Sequence, residues 1–289
     1  MTSLEKGKVL SLNVSSVSGK KLPTFELGFF KGEKIVIFSI NYLKEENLHP
    51  ADLKGFVEDI TIKGDLFPNV GDFLKIGELV VKIRSIGSES IINTRGRYGI
   101  VKKYGLWAEV LKEGRVKIGD EVFILERLNV GVIVASDKGS RGERKDVSGK
   151  ILEEKILEIG GEVTHYAIVP DELETITEKI KEFVEAKCDL ILTSGGTGWS
   201  KRDVTPEATR RVIEREVPGI PEIMRIEGYK STPFAALSRA IAGIVGETLI
   251  INLPGSPKGV AESLDIIMPL LLHGIRVLKG RDKECGKIK

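Results

Sequence analysis

Strand-like and helix-like segments alternate from residue 129 onward, and this alternation constrains the fold more than any other feature. The apolar runs NVGVIVAS (129–136), GEVTHYAIV (161–169) and CDLILTS (188–194) have the length and composition of buried strands. Between them, residues 147–159 and 173–184 carry apolar side chains at helical spacing. Helices that connect successive strands are typical of a largely parallel sheet covered on both faces. The sequence therefore predicts an α/β domain in this part of the chain.

Residues 7–125 show a different pattern, in which short β-rich runs follow one another closely and are separated by glycine turns. Such runs, with alternating faces, are typical of an antiparallel barrel or sandwich. A chain of 289 residues also has the length of about two domains. We therefore predict an all-β domain at residues 1–126, an α/β domain at residues 127–280 and a polar tail at residues 281–289.

Composition excludes several classes of protein. A net charge of +2 provides no global field for nucleic acid or anionic lipid, so we expect neither as a partner. Two cysteines are too few for a disulfide scaffold or a zinc cage. No apolar stretch reaches the ~18 residues of a membrane-spanning helix, and the N-terminus lacks the apolar core of a signal peptide. We expect a cytoplasmic protein without a membrane partner.

A glycine-rich turn, TSGGTG (193–198), follows the third strand of the predicted sheet. Ligands of open α/β sheets bind beyond the carboxyl ends of the strands. Because Gly195, Gly196 and Gly198 have no Cβ, the chain can turn sharply there and point its N–H groups at an anion such as phosphate. The spacing matches neither the GxGxxG pattern nor the P-loop. The alternative is an ordinary tight turn between a strand and a helix.

Two aspartates follow neighbouring strands at the same predicted edge. Asp171 comes directly after the second strand. Asp203 lies just before Thr205 and Pro206, which we predict to be a helix cap and the first helical residue. Together the two carboxylates can hold Mg²⁺ against phosphate oxygens. The alternatives are a capping box between Asp171 and Glu174 and a solvated loop carboxylate at Asp203.

A second anion site is predicted at INLPGSPKG (251–259), where another strand enters a helix. We expect this helix to begin at Pro257, so that its N–H groups, Ser256 and Lys258 face an anionic group. Two anion sites on one sheet edge indicate a phosphorylated substrate that meets a nucleotide.

Several motifs in this half of the chain occur together in one known family. TSGGTG, KRDVTPEAT, EREVPGI, LSRAIAGIVGETLIINLPGSPKG and IVPDELE resemble the molybdopterin adenylyltransferase family, and the similarity extends across residues 129–279. The resemblance implies a three-layer α/β fold, a homotrimer and a role in molybdenum cofactor biosynthesis. It also implies Mg²⁺ as a cofactor, ATP and molybdopterin as substrates, and adenylyl-molybdopterin and pyrophosphate as products. A metal-insertion protein that acts downstream would be a further partner.

The resemblance also assigns site residues. Asp171 of IVPDE and Asp203 of KRDVTP correspond to the two key aspartates of the family, with roles in catalysis and in Mg²⁺ binding. The expected contacts to substrate and nucleotide are Asp137, Ser148, Thr193, Ser194, Gly195, Gly196, Thr197, Gly198, Ser238, Arg239, Asn252, Pro254, Gly255, Ser256 and Lys258. For Arg239, an ordinary surface ion pair is the alternative. The terminal phosphate of the pterin would attack the α-phosphorus of ATP without a covalent enzyme intermediate.

The N-terminal runs resemble the MOSC domain, a β-barrel named for the C-terminal part of molybdenum cofactor sulfurase. The similarity rests on GKVLSLNVSS, FVEDITIKGDLFPNVGDFLKIGE and LWAEVLKEGRVKIGDEVFIL. Ser90 stands where that family typically has a cysteine, so the resemblance does not imply sulfur transfer. It permits binding of molybdopterin or of the finished cofactor, with phosphate contacts from Arg84, Arg95, Arg97 and Lys102. The alternative is a solvated basic loop.

Two other functions compete with adenylyl transfer. One is a non-catalytic carrier or chaperone for molybdopterin or its cofactor, which would need no metal-binding pair such as Asp171 and Asp203. The other is a pyrophosphatase of the same fold that acts on another nucleotide-linked metabolite. LSR and INLPGSPKG disfavour the pyrophosphatase, because they resemble the adenylyltransferases.

Overall fold

The computed structural model describes residues 6–12, 27–30, 34–39, 60–64, 66–87 and 105–281. The chain divides into two compact units, Met1–Arg127 and Leu128–Lys289. Outside the described residues lie Ser90, Arg95, Arg97, Lys102 and residues 282–289 of the predicted tail. No helix in the described ranges has the length and apolar content needed to cross a membrane.

Short strands make up the described part of the N-terminal unit. They are β1 (Lys6–Leu12), β2 (Leu27–Phe30), β3 (Lys34–Ser39), β4 (Ile60–Gly64), β5 (Phe73–Ile76), β6 (Leu79–Ile86), β7 (Leu106–Lys112), β8 (Gly114–Lys117) and β9 (Glu121–Leu125). The order β1-β4-β3-β7-β6-β5-β9 forms a curled sheet around an apolar interior, and β1 also pairs with β9. These pairs are antiparallel apart from β3 and β4, and β2 pairs with β8 in a separate ribbon. The described residues thus confirm predominantly antiparallel β-structure.

The C-terminal unit alternates strands and helices, as predicted. Its strands are β10 (Leu128–Ala135), β11 (Gly161–Val169), β12 (Leu190–Ser194), β13 (Arg215–Glu216), β14 (Ala242–Val245) and β15 (Thr248–Leu253). Its helices are α1 (Asp137–Ser140), α2 (Ser148–Leu157), α3 (Leu173–Glu185), α4 (Thr205–Arg210), α5 (Gly219–Ser231) and α6 (Pro257–Leu278), with a 3₁₀ turn at Pro233–Leu237. The sheet order is β11-β10-β12-β15-β14-β13, and the first four strands are parallel. The predicted α/β fold with a mostly parallel sheet is confirmed.

Strand β10 is apolar along most of its length because both of its faces are covered. Val130, Val132 and Val134 pack into a cluster with residues of α2, α5 and α6. Ile133 and Ala135 point to the opposite face, where they pack with residues of α3 and α4. Side chains alternate between the two faces of a strand, so a strand buried on both sides shows no polar alternation. The helices therefore form a layer on each side of the sheet.

The start of α3 differs from the prediction. The helix begins at Leu173 with Glu172 as its N-cap residue, and no side chain makes a capping hydrogen bond. The capping box between Asp171 and Glu174 is therefore wrong. Asp171 lies before the N-cap position, where its carboxylate is available to another loop.

Helix α6 begins with a serine cap followed by proline, whereas α4 begins without a side-chain cap. α4 begins at Thr205, one residue before the predicted Pro206, and no side chain caps it. α6 begins at Pro257, as predicted, and Ser256 Oγ accepts a hydrogen bond from the Gly259 N–H at 3.1 Å. Proline at the first helical position after a serine cap is a favoured combination.

A buried ion pair anchors the last helix at the edge of the sheet where the strands begin. Asp189 immediately precedes β12, and Lys279 immediately follows α6. Lys279 Nζ contacts Asp189 Oδ1, and the two side chains are only 14% and 9% exposed. Asp189 Oδ2 also accepts a hydrogen bond from the Asn129 N–H at 2.7 Å. The end of α6 is thereby joined to the first residues of two central strands.

We predict that Asp189→Ala destabilises the C-terminal unit by about 3 kcal/mol, because it leaves the buried Lys279 without its partner. Urea unfolding of the full chain measures this change. Glu227→Ala removes an exposed pair with Lys230 and should change stability by less than about 1 kcal/mol. Equal effects of the two substitutions would show that the buried pair contributes no more than a surface pair.

Candidate active site

The carboxyl ends of four parallel strands meet at one edge of the sheet. The segments that follow β10, β11, β12 and β15 therefore lie side by side, and they surround a cleft of about 360 Å³. The predicted site residues that line it are Ser148, Asp171, Ser194, Gly195, Gly196, Asp203, Gly255 and Ser256. The structure thus brings both aspartates and parts of both predicted anion sites into one cleft.

Gly195 packs so closely against the end of β10 that no side chain fits. Its φ is +101°, and a Cβ at this position would lie 2.3 Å from the carbonyl oxygen of Ala135. Gly196 has a φ of +63°, and its Cβ would lie 2.3 Å from Thr205 Oγ1. Both positions therefore require glycine. The Gly195 N–H donates to the carbonyl oxygen of Leu253 at 3.2 Å, so this N–H joins the turn to β15 rather than pointing at a ligand.

Asp137 and Asp171 connect the segments that follow β10 and β11. The Asp137 N–H donates to Asp171 Oδ2 at 3.0 Å, and the Asp171 N–H donates to Asp137 Oδ1 at 3.1 Å. Arg202, from the segment after β12, donates to the two carboxylate oxygens of Asp137 at 2.6 Å and 3.2 Å. Asp203 Oδ2 accepts a hydrogen bond from the Ser200 N–H at 2.7 Å. Side-chain hydrogen bonds therefore hold three loops of the cleft together.

The two linked aspartates have opposite pKa shifts. The hydrogen bond from Arg202 lowers the pKa of Asp137, and the hydrogen bond with the Asp171 backbone adds to this effect. Burial raises the pKa of Asp171, and the carboxylates of Asp137 and Asp203 raise it further, against the opposing effects of the Asp137 N–H and Arg202. Arg202 thus balances the charge of Asp137, whereas Asp171 lies where a bound cation would stabilise its ionised form.

Three cationic residues near the cleft are missed by the sequence patterns. Arg144 and Lys145 line the cleft from the loop between α1 and α2, and Arg202 is adjacent to Asp203 in the chain. The charged run RGERKD (141–146) is the signal that could have identified the first two, because it follows a strand that ends at the ligand-binding edge. The charges of Arg144 and Lys145 suit the phosphates of a nucleotide, whereas Arg202 is paired with Asp137.

A second pocket, of about 280 Å³, lies beside the same glycine turn. The predicted site residues that line it are Thr197, Gly198, Ser238 and Pro254. Its apolar walls come from α5, the 3₁₀ turn and α6, and include Pro221, Met224, Phe234, Leu237 and Ile266. Successive residues of one turn therefore line two pockets of different character, one bordered by charges and the other mainly apolar.

Arg239 fixes the loop between the glycine turn and α4. Its Nε donates to the Gly198 carbonyl oxygen at 2.6 Å, and its Nη2 donates to the Asp203 carbonyl oxygen. Its Nη1 lies 2.5 Å from Glu207 Oε1. Burial alone would raise the pKa of Glu207, but hydrogen bonds from Arg239 and from the backbone outweigh burial and lower this pKa. The guanidinium is thus hydrogen-bonded to three protein groups, and it fixes the position of Asp203 through the backbone of the loop.

The remaining predicted site residues support the two pockets or lie at their margins. Thr193 and Asn252 are fully buried, and Asn252 Nδ2 donates to Thr193 Oγ1 at 2.9 Å and to Thr209 Oγ1 at 2.8 Å. These hydrogen bonds join β12, β15 and α4 beneath the cleft. Lys258 is exposed, and its Nζ lies 3.7 Å from Glu262 Oε1.

Comparisons with known proteins identify the C-terminal unit. Residues 131–273 match a family described as a probable molybdopterin binding domain. The chain is 42% identical over 166 residues to the molybdopterin adenylyltransferase of Helicobacter pylori strain J99, which covers 56% of this chain and 94% of that protein. It is 38% identical over 160 residues to the molybdopterin adenylyltransferase of Escherichia coli K12, which covers 52% of this chain and 81% of that protein.

Solved structures of molybdopterin biosynthesis proteins also match this chain. The molybdopterin biosynthesis enzyme MoaB of Thermus thermophilus matches with 47% identity and a TM-score of 0.51, over 54% of this chain and 99% of that one. A molybdopterin biosynthesis protein of Mycobacterium abscessus matches with 34% identity and a TM-score of 0.51, over 53% and 97%. The chain therefore belongs to the molybdopterin adenylyltransferase family, and the residues that match the family lie in its C-terminal unit.

We predict that Gly195→Ala destabilises the C-terminal unit by about 2–4 kcal/mol, because it adds a clash with the Ala135 carbonyl oxygen to a left-handed backbone. Gly246→Ala is the matched control, since Gly246 also has a positive φ, +53°, but a Cβ there meets nothing within 4 Å. The control should cost only about 1–2 kcal/mol. Thermal unfolding measures both variants, and equal melting temperatures would contradict the close packing of the turn.

We predict that Arg239→Lys increases amide hydrogen exchange in residues 198–204 without unfolding the protein. A lysine ammonium cannot bond to Gly198, Asp203 and Glu207 at once, so the loop opens more often. Hydrogen–deuterium exchange with mass spectrometry measures the effect. Arg210→Lys, in an exposed pair with Glu216, is the control and should leave the exchange unchanged. If both variants exchange like the wild type, other contacts hold the loop.

Proposed function

We propose that the C-terminal unit adenylylates molybdopterin. It transfers the AMP moiety of ATP to the terminal phosphate of molybdopterin and releases pyrophosphate. The observation that carries this proposal is the cleft in which Asp171 and Asp203, from two separate loops, lie beside the glycine turn. Membership of a family whose relatives are named molybdopterin adenylyltransferase supports a nucleotidyltransferase with a role in molybdenum cofactor biosynthesis.

Mg²⁺ fits the carboxylates of this cleft. The described residues contain no group of three or more His, Cys, Asp or Glu side chains that could hold a metal ion by themselves. Mg²⁺ is commonly held by one or two carboxylates, while substrate phosphates and water complete its shell. Asp171 and Asp203 would supply these carboxylates. A bound cation would relieve the repulsion between them, which is one of the causes, after burial, that raise the pKa of Asp171. The bound ion would neutralise charge on the phosphates.

The charged cleft suits ATP. Arg144 and Lys145 line it and would offset the charge of the β- and γ-phosphates, which leave as pyrophosphate. Ser256 also lines the cleft at the N-terminus of the long helix α6, where N–H groups and the helix dipole favour a phosphate. The protein thus acts by positioning the phosphates and by neutralising their charge.

The second pocket suits the pterin. Its apolar walls can enclose a flat ring, and Thr197 and Ser238 add polar groups. Because the glycine turn lines both pockets, the terminal phosphate of a pterin in one pocket would meet a nucleotide in the other. An oxygen of that phosphate forms a bond to the α-phosphorus as the bond from the α-phosphorus to pyrophosphate breaks. No covalent enzyme intermediate is required.

A turnover assay with the purified full chain, ATP, Mg²⁺ and molybdopterin tests this proposal. We expect pyrophosphate release that requires molybdopterin and stops when Mg²⁺ is chelated. Asp203→Asn keeps an oxygen that can accept the Ser200 N–H but removes the charge. Its kcat should therefore fall roughly a hundredfold or more while the fold stays intact. Asp265→Asn, in a surface pair with Lys155, is the control and should leave kcat unchanged.

Two results would contradict the proposed reaction: pyrophosphate release without molybdopterin, and unchanged turnover in Asp203→Asn. Binding of molybdopterin without any pyrophosphate release would instead favour the non-catalytic carrier.

For the N-terminal unit, we propose a MOSC-like barrel that binds molybdopterin or the finished cofactor. The curled sheet, whose pairing returns from β9 to β1, supports this assignment. Of the predicted basic contacts, the described Arg84 donates from Nε to Glu109 Oε2 at 2.5 Å. The resemblance of the C-terminal unit to the molybdopterin adenylyltransferases implies a homotrimer that supplies a metal-insertion protein, and light scattering of the purified chain tests the trimer. A cytoplasmic location is proposed from the low cysteine content.

A further inference from the structure

The second pocket contains an acidic side chain among apolar walls. Glu262, in the second turn of α6, lines it together with Met224, Phe234 and Ile266. Its side chain is 34% exposed, so most of it is shielded from solvent. Of the described residues that line this pocket, Glu262 is the one carboxylate.

The contact that the described structure gives this carboxylate is a long ion pair. Lys258 Nζ lies 3.7 Å from Glu262 Oε1, which is too long for a hydrogen bond, and the Lys258 side chain is 78% exposed. Such a surface pair contributes little. Arg225, which also lines the pocket, donates from Nη1 to the carbonyl oxygens of Ser238 and Ala240, at 3.4 Å and 3.1 Å. The oxygens of Glu262 are therefore available to accept hydrogen bonds from a ligand in the pocket.

The 2-amino-4-oxo edge of a pterin ring carries suitable donors. Its ring N3–H and an N–H of its 2-amino group lie side by side and point in the same direction, so one carboxylate can accept both. Hydrogen bonds to a charged acceptor are short and strong, and a paired arrangement adds geometric specificity. The flat, largely apolar body of the ring matches the walls of the pocket.

We propose that Glu262 determines the specificity for pterin by accepting hydrogen bonds from N3–H and the 2-amino group. This inference rests on the proposed function, which places the pterin in the second pocket. It assigns the recognition of the ring to α6, the helix whose N-terminus lines the charged cleft.

Lumazine has a carbonyl oxygen in place of the 2-amino group of pterin. It therefore distinguishes recognition of the 2-amino group by Glu262 from the general fit of the ring to the pocket. Fluorescence titration of the full chain with pterin and with lumazine measures both affinities. The wild-type protein should bind pterin roughly tenfold to a hundredfold more tightly, since lumazine loses a charge-assisted hydrogen bond and turns an oxygen toward the carboxylate. In Glu262→Gln, whose amide can donate to that oxygen, the preference should disappear.

Glu153→Gln is the matched control, because Glu153 is exposed on α2 and lines neither pocket. It should keep the wild-type preference. Equal weakening of pterin and lumazine in Glu262→Gln would show that Glu262 only supports the shape of the pocket, and the inference would fall. An unchanged preference, or a wild-type protein that binds no pterin, would overturn it as well.

The adenylyl-transfer assay is independent of these titrations. Turnover of molybdopterin by a protein whose pterin preference does not depend on Glu262 would refute this inference and leave the proposed function in place. A preference that depends on Glu262, without any pyrophosphate release, would refute the proposed reaction alone.

Discussion

Both pockets of the C-terminal unit depend on the contact between Gly195 and the carbonyl oxygen of Ala135. This contact brings the chain after β12 against the end of β10, and only a residue without a Cβ permits it. The backbone then turns so that consecutive residues line first the charged cleft and then the apolar pocket. Arg239 holds the far side of the same loop through Gly198. The separation of the two pockets is thus set by the backbone and not by long side chains.

Much of the C-terminal fold could be predicted because its central strands are buried on both faces. Continuous apolar runs such as residues 129–136 identify these strands, and the helical spacing between them specifies parallel connections. The start of α6 at Pro257 follows from local preferences of serine and proline. Asp171, Asp203 and the glycine turn could be found because all of them follow strands that end at one edge of the sheet.

The features that could not be predicted depend on contacts between residues far apart in the chain. Asp171 and Glu174 have the spacing of a capping box, but the Asp171 carboxylate instead accepts a hydrogen bond from Asp137, 34 residues away. Arg239 reaches the Gly198 carbonyl oxygen across 41 residues. Propensity and periodicity describe neighbours only, so neither partner can be deduced from them.

Helix α6 has Ser256 in the cleft as its N-cap and ends beside the buried pair of Asp189 and Lys279. Its 22 residues span about 33 Å, and the ion pair fixes its C-terminal end to the sheet. A displacement of its first turn, at the edge of the cleft, would therefore be transmitted to the first residues of the central strands. The helix thus connects the cleft to the opposite edge of the sheet, so the ion pair of Asp189 and Lys279 helps to fix the position of Ser256 in the cleft.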